Sequence, residues 1–168
     1  MGPRHLDHRL FWSVAIGWLA IDILTKRLAL AYLIPGTPVP FVGDFVRFTL
    51  TFNRGAALGL SLGDWSRPAF TLIGFVMVGV LIGVYRVTPL GQRLRVLLLA
   101  LITGGAIGNL IDRIRWSHGV VDFIDIGVGP TRFWTFNVAD VGISVSAIIL
   151  AVAWSRDSRD SRDAWDGG

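Results

Sequence analysis

Between Gly104 and Asp140 the chain gathers amides, carboxylates and an arginine where apolar segments meet a polar loop. It reads Gly104-Gly105-Ala106-Ile107-Gly108-Asn109-Leu110-Ile111-Asp112-Arg113, then Val120-Val121-Asp122-Phe123-Ile124-Asp125, then Phe136-Asn137-Val138-Ala139-Asp140. Asp122 stands among valine, phenylalanine and isoleucine, a setting in which burial raises a carboxyl pKa and a second carboxylate raises one of the two further. Two aspartates so placed can share one proton and activate a water, the logic of the aspartic proteases. Each residue also has an ordinary role. Asn137-x-x-Asp140 has the spacing of a helix-capping box, Asp112 and Arg113 can mark the end of a membrane span, and Asp122 and Asp125 can be solvated loop residues.

No other catalytic group competes. No serine sits in a nucleophile elbow, no Ser/His/Asp order is evident, His118 is alone, and His5 and His8 fall in a polar terminal segment. The absence of cysteine excludes disulfides, thiol catalysis and zinc–thiolate sites. Every acid is an aspartate, and the bases are arginines apart from Lys26.

The elements that must hold these residues are membrane spans. Of the 168 residues 52% are hydrophobic, and the mean hydropathy of +0.58 reflects long unbroken apolar runs, the signature of an integral membrane protein. A net charge of +4 then fits arginines anchoring to anionic lipid, with no nucleic-acid partner. The first apolar run covers residues 10–34, interrupted by Asp22, Lys26 and Arg27. Those charges and its length argue against a cleaved secretory signal. Asp22 and Lys26 lie four apart on one helical face, acid first, the favourable order for an ion pair. Further spans are expected at 68–85, 94–111 and 138–154, with Gly79/Gly83 and Gly104/Gly108 as small-residue packing surfaces. In residues 46–53 apolar and polar side chains alternate, which predicts a half-buried strand. A strand cannot expose its edge to lipid, so it should lie at the membrane surface. Asn53-Arg54-Gly55-Ala56-Ala57 follows as a turn that can bring an amide to the rim of a site.

The fold expected is therefore an all-α integral membrane protein of four transmembrane helices, with a small β-like segment on the outer face between helices 1 and 2. Residues 1–154 form one domain. Residues 155–168, with Ser-Arg-Asp three times over, are expected to be a disordered polar tail. Arg4, Arg9, Arg86, Arg93, Arg95 and the tail arginines share one side of a four-span chain, which places both termini and that side in the cytoplasm. Asn53 and Asp122 then fall at the outer face.

In order, Asp22-x-x-Thr25-Lys26, Phe52-Asn53-Arg54-Gly55-Ala56-Ala57, the glycine-rich block through Asn109 and Asp112-Arg113, Val121-Asp122-Phe123 and Phe136-Asn137-x-Ala139-Asp140 resemble the lipoprotein signal peptidases, or signal peptidase II. The resemblance spans nearly the whole membrane body. It implies a bacterial inner-membrane aspartic endopeptidase, without metal or cofactor, that removes the signal peptide of prolipoproteins before a diacylglyceryl-modified cysteine. It further implies that Asp122 and Asp140 are the catalytic pair. Asn53, Gly55, Asn109, Asp112, Arg113 and Asn137 would shape the site or position substrate, with Asp22 and Lys26 bracing it. The implied partners are lipidated signal peptides, membrane lipid and an inhibitory cyclic lipopeptide. Leu58 and Val141 depart from the family pattern, where an aromatic residue and a serine are usual. The rival readings from other classes are a small proton-coupled transporter or channel and a nonenzymatic membrane scaffold. The first predicts acids spread through the spans, and the second leaves the clustered amides and acids unexplained.

Overall fold

The computed structural model describes residues 3–54 and 63–166. Four helices carry the chain: α1 (Pro3–Tyr32), α2 (Ser66–Val87), α3 (Arg93–Arg115) and α4 (Val138–Asp166). Stretches within or containing the last three, Gly63–Val87, Arg93–Arg115 and Val138–Ser155, are long and apolar enough to cross a membrane. This is a helical membrane protein, and the expected spans at 68–85, 94–111 and 138–154 fall inside its helices.

α3 is the centre of the bundle. Its apolar window is 61% buried within the protein, against 11% for α2 and 22% for α4, and it packs on α1, α2 and α4. Small residues make this possible, because helices in lipid associate through close packing rather than through escape from water. A methyl group at Gly104 would meet the Ala15 carbonyl of α1, one at Gly105 the Ala139 carbonyl of α4, and one at Gly108 the Asp22 carboxylate. Gly79 and Gly83 behave differently. Nothing among the described residues lies within 4 Å of a methyl group built there, so none of them uses the packing surface expected on that face of α2. α2 instead meets α3 through Gly74, against Leu110.

The fold is not all-α. Strands β1 (Val39–Phe41), β2 (Gly43–Asn53), β3 (Val120–Val128) and β4 (Thr131–Arg132) form an antiparallel sheet in the order β1-β2-β3-β4. β2 contains the alternating stretch 46–53. β3 was not legible as a strand because residues Val120 to Phe123 are all buried, which erases the polar–apolar alternation. Asp122 and Asp125 are therefore strand residues, not loop residues. β3 pairs with β2 in the register Thr51↔Asp122 and Asn53↔Val120, with an irregularity between Phe48 and Thr51. Gly119, just before β3, has φ 94° and passes so close to the Asn53 carbonyl that a side chain would clash.

Two apolar cores result. One, with Phe11, Leu81, Tyr85, Val96 and Leu99, lies among the helices. The other, with Ala29, Leu50, Val121 and Phe123, joins the end of α1 to the sheet. Buried polar residues, among them Asp22, Lys26, Asn109, Asp112, Asp122 and Asn137, form a further group beside these clusters. The backbone of α4 stays helical to Asp166. Extending an existing helix avoids the cost of nucleating one, so even a polar repeat can continue it.

Candidate active site

The polar residues between the cores come from five elements: α1, β2, α3, β3 and α4. Lys26, 3% exposed, is the cation at their centre. Its ammonium donates to Asn109 Oδ1 at 2.8 Å and forms ion pairs with Asp22 at 2.8 Å and Asp112 at 2.9 Å. A buried charge is tolerated only when paired and hydrogen-bonded to this degree. The predicted i,i+4 pair of Asp22 and Lys26 is present, and Asp22 Oδ1 also accepts the backbone N–H of Ala139 at the start of α4. Asp112 differs from its expected role at the end of a span. It receives Lys26 and the backbone N–H of Val121 at 3.2 Å, and so ties the end of α3 to the start of β3.

Asn109 turns this brace toward the carboxylates. Its carbonyl oxygen faces Lys26, and its Nδ2 donates to Asp140 Oδ1 at 2.8 Å. Asn137, fully buried, donates from Nδ2 to Asp122 Oδ1 at 2.7 Å, to Asn109 Oδ1 at 3.1 Å and to the Val121 carbonyl at 3.3 Å. The capping box is real as well. Asn137 Oδ1 accepts the Asp140 N–H at 3.0 Å, and Asp140 Oδ2 accepts the Asn137 N–H at 3.2 Å. The structural and the functional readings of Asn137-x-x-Asp140 therefore coexist.

Asp122 is 2% exposed. Burial, and then the negative charge of Asp140, push its carboxyl up to about 7. Hydrogen bonds from Asn137 and Asn53 and the charge of Lys26 oppose the rise without cancelling it. Arg113 donates from Nη1 to the Asn109 carbonyl at 3.3 Å, and its charge acts on Asp140, Asp122 and Asp112. Its Nε is buried and has no hydrogen-bond partner among the described residues. Of the site residues expected from sequence, Asp22, Lys26, Asn53, Asn109, Asp112, Arg113, Asp122, Asn137 and Asp140 converge here. Gly55, with Ala56, Ala57 and Leu58, lies outside the described residues.

Two arginines escaped the sequence reading. Arg67, in the first turn of α2, donates from Nε to the Arg113 carbonyl at 2.8 Å and from Nη2 to the Ile114 carbonyl at 3.4 Å. It caps the last turn of α3, which carries Asp112 and Arg113. A lone arginine at the start of an otherwise uncharged span was its signal. Arg132 bonds Asp125 Oδ1 at 2.9 Å and the Asp44 carbonyl at 2.7 Å, and Asp125 also accepts from Thr49 at 2.9 Å. Burial alone would raise the Asp125 carboxyl. The bonds from Arg132 and Thr49 and the charges of Arg132 and Arg47 outweigh it and hold it below the ordinary range. The signal here was Gly127-Val128-Gly129-Pro130, a turn flanked by an acid and a base.

Packed membrane helices capped by a small sheet thus hold two carboxylates joined through amides. The family model for signal peptidase (SPase) II matches residues 14–156, and the chain belongs to that family. It is 42% identical over 163 residues to the lipoprotein signal peptidase of Rhodococcus jostii (strain RHA1), covering 89% of this chain and 76% of that one. The lipoprotein signal peptidase of Coxiella burnetii (strain RSA 493 / Nine Mile phase I) is 42% identical over 146 residues, 85% of this chain and 86% of its own. A solved bacterial membrane enzyme, determined by the in meso method at 2.3 Å resolution, superposes with a TM-score of 0.80 at 26% identity over 89% of this chain and 90% of its own. The activity is thus that of a lipoprotein signal peptidase, an aspartic endopeptidase whose substrates are prolipoproteins. The transporter and scaffold alternatives fall with it.

Proposed function

We propose that Asp122 and Asp140 are the catalytic pair, and that they cut the prolipoprotein before its diacylglyceryl-modified cysteine. The observation that carries this reading is their linkage. Asp122 on β3 and Asp140 on α4 are joined through Asn137 and Asn109, and the Asp122 carboxyl is pushed up to about 7. A carboxyl of that pKa keeps its proton at neutral pH often enough to polarise the scissile carbonyl. Asp140 lies in the first turn of α4 and accepts two hydrogen bonds. With Asp122 as the group that polarises the carbonyl, Asp140 is the base that takes a proton from water. The resulting tetrahedral intermediate collapses as the leaving cysteine amine is protonated. Arg113, whose buried Nε has no hydrogen-bond partner among the described residues, positions the substrate backbone, as does Asn53.

Four features support a lipidated peptide as substrate. The sheet covers the outer end of the bundle, β2 runs extended beside Asp122, with Thr51 opposite it, and Asp122 is followed by the apolar Phe123. An apolar cavity of about 290 Å³ between the end of α1 and the sheet, lined by Leu28, Ala29, Leu33, Phe48 and Phe123, has room for part of an acyl chain. A cyclic lipopeptide with a similar apolar tail would occupy the same place. In this reading α1 also crosses the membrane, since its 30 residues span about 45 Å and Asp22 and Lys26 at its buried face are paired. Both termini and the connector 88–92 are cytoplasmic, and the aspartates face outward. The test has two arms. Purified enzyme should release the signal peptide from a lipidated precursor and leave the unlipidated one largely uncut. In the cysteine-free chain, Leu90→Cys in intact cells should resist an impermeant thiol reagent. Equal cutting of both precursors would overturn the substrate assignment, and outside labelling of Leu90→Cys would overturn the orientation.

A further inference from the structure

At the end of the helices away from the aspartate pair, a cavity of about 480 Å³ opens between the start of α1, the end of α2 and the connector 88–92. Its walls carry Asp7 and His8 from α1, Tyr85 and Arg86 from α2, and Leu90 of the connector. Asp7 is 7% exposed, and its Oδ2 accepts the backbone N–H of Gly91 at 3.2 Å. One bond from a neutral donor leaves a buried carboxylate far from compensated. Tyr85 is held in place by stacking on Phe11, with ring centroids 3.9 Å apart, and by the edge of His8 at 5.6 Å. Arg86 is exposed on the same cavity. Among the described residues neither Asp7 nor Arg86 takes part in an ion pair. Opposite charges thus face one space without closing on each other.

A molecule that carries both signs would complete them. We infer that this cavity binds the zwitterionic headgroup of a phospholipid of the phosphoethanolamine type. Its ammonium sits on Asp7 beside the Tyr85 ring, where a carboxylate and an aromatic surface both favour a cation. Its phosphodiester sits on the Arg86 guanidinium, whose planar donors suit phosphate oxygens. The neighbouring apolar side chains argue for a lipid over a soluble zwitterion. Val87 and Leu90, 79% and 48% exposed, flank the cavity and would lie along the acyl chains. An anionic headgroup without an amine would satisfy Arg86 and leave Asp7 unpaired, so phosphatidylglycerol is the poorer fit. This site is independent of the catalytic reading, since it shares no residue with it.

The test uses the full chain in nanodiscs of equal phosphatidylethanolamine and phosphatidylglycerol, released into native mass spectrometry to count retained lipids. Phosphatidylethanolamine should be retained in preference, and Asp7→Asn and Arg86→Gln should each lower its retention about tenfold, the effect of one charge-assisted contact. Signal-peptide release should be unchanged in both. Equal retention of the two lipids, or retention indifferent to both substitutions, would overturn the proposal. Should Asp7→Asn fail to fold, the exposed Arg86→Gln decides alone. Displacement of the lipid by soluble glycerophosphoethanolamine would assign the site to a free solute and overturn the lipid assignment.

Discussion

Asn137 donates to Asn109 Oδ1 at 3.1 Å, and through this amide pair the carboxylates of β3 and α4 are held as one unit. Each amide also grips one aspartate, Asn137 on Asp122 and Asn109 on Asp140. Asn109→Ala should therefore lower kcat about 100-fold, the order expected when reacting groups shift by an ångström, with a smaller change in KM. Asn137→Ala should do the same and also lose the cap of α4, costing about 1 kcal/mol of stability. Steady-state kinetics with a lipidated precursor, alongside thermal unfolding of each variant, separate the two effects.

The Lys26 ammonium answers two buried carboxylates at once, Asp22 and Asp112. Lys26→Met keeps the length of the side chain and removes the charge. It should destabilise the protein by about 3–5 kcal/mol, since it strands buried charge. Chemical unfolding in detergent measures this. Adding Asp112→Asn to Lys26→Met should recover part of the loss.

Asp122 keeps its proton up to about pH 7, whereas the unfolded chain releases it near pH 4. Between these values the folded protein binds more protons than the unfolded one, so this group makes stability fall as pH rises from about 4 to 7 and leaves it level above. Activity should follow the same proton. Rates should drop above about pH 7 as Asp122 ionises, by up to tenfold per pH unit. Removing the neighbouring charge in Asp140→Asn should move the Asp122 carboxyl band in infrared titration to lower pH.

Asp125 carries the opposite sign. Its carboxyl is held below the ordinary range, so its contribution is present above about pH 4 and lost as pH falls through its folded value. Asp125→Asn should retain most activity, because its partners are Arg132 and Thr49 rather than the aspartate pair. It should destabilise the protein at neutral pH by about 1–3 kcal/mol and by progressively less in acid. Unfolding midpoints measured at pH 7 and pH 3 supply the comparison.

The helices were legible because long uncharged runs admit few alternatives, and β2 was legible because one face of it is wet. β3 was not, since a strand buried on both faces shows no alternation. The convergence of Asp22, Lys26, Asn109 and Asp140 was legible only as motif. Their local spacing fixes the Asp22–Lys26 pair and the Asn137–Asp140 cap. That Lys26 should reach Asp112, so distant in the chain, depends on Gly108 letting α1 approach α3, a tertiary fact with no local pattern. The partners of Arg67 and Arg132 are likewise set by which helix end and which hairpin come to lie beside them.

The pair itself is tested most directly by release of signal peptide from a lipidated precursor by Asp122→Asn, Asp140→Asn and the double variant, each purified and matched for folded protein. Asparagine preserves size and shape and at position 140 gives up only one of the two bonds that Asp140 accepts, so the variants should fold and insert. Each single change should lower cleavage by several orders of magnitude. The double change should cost little more, since groups that act on one water fail together. Substantial cleavage by either folded single variant, or losses in the double variant that simply multiply, would contradict the shared-proton pair.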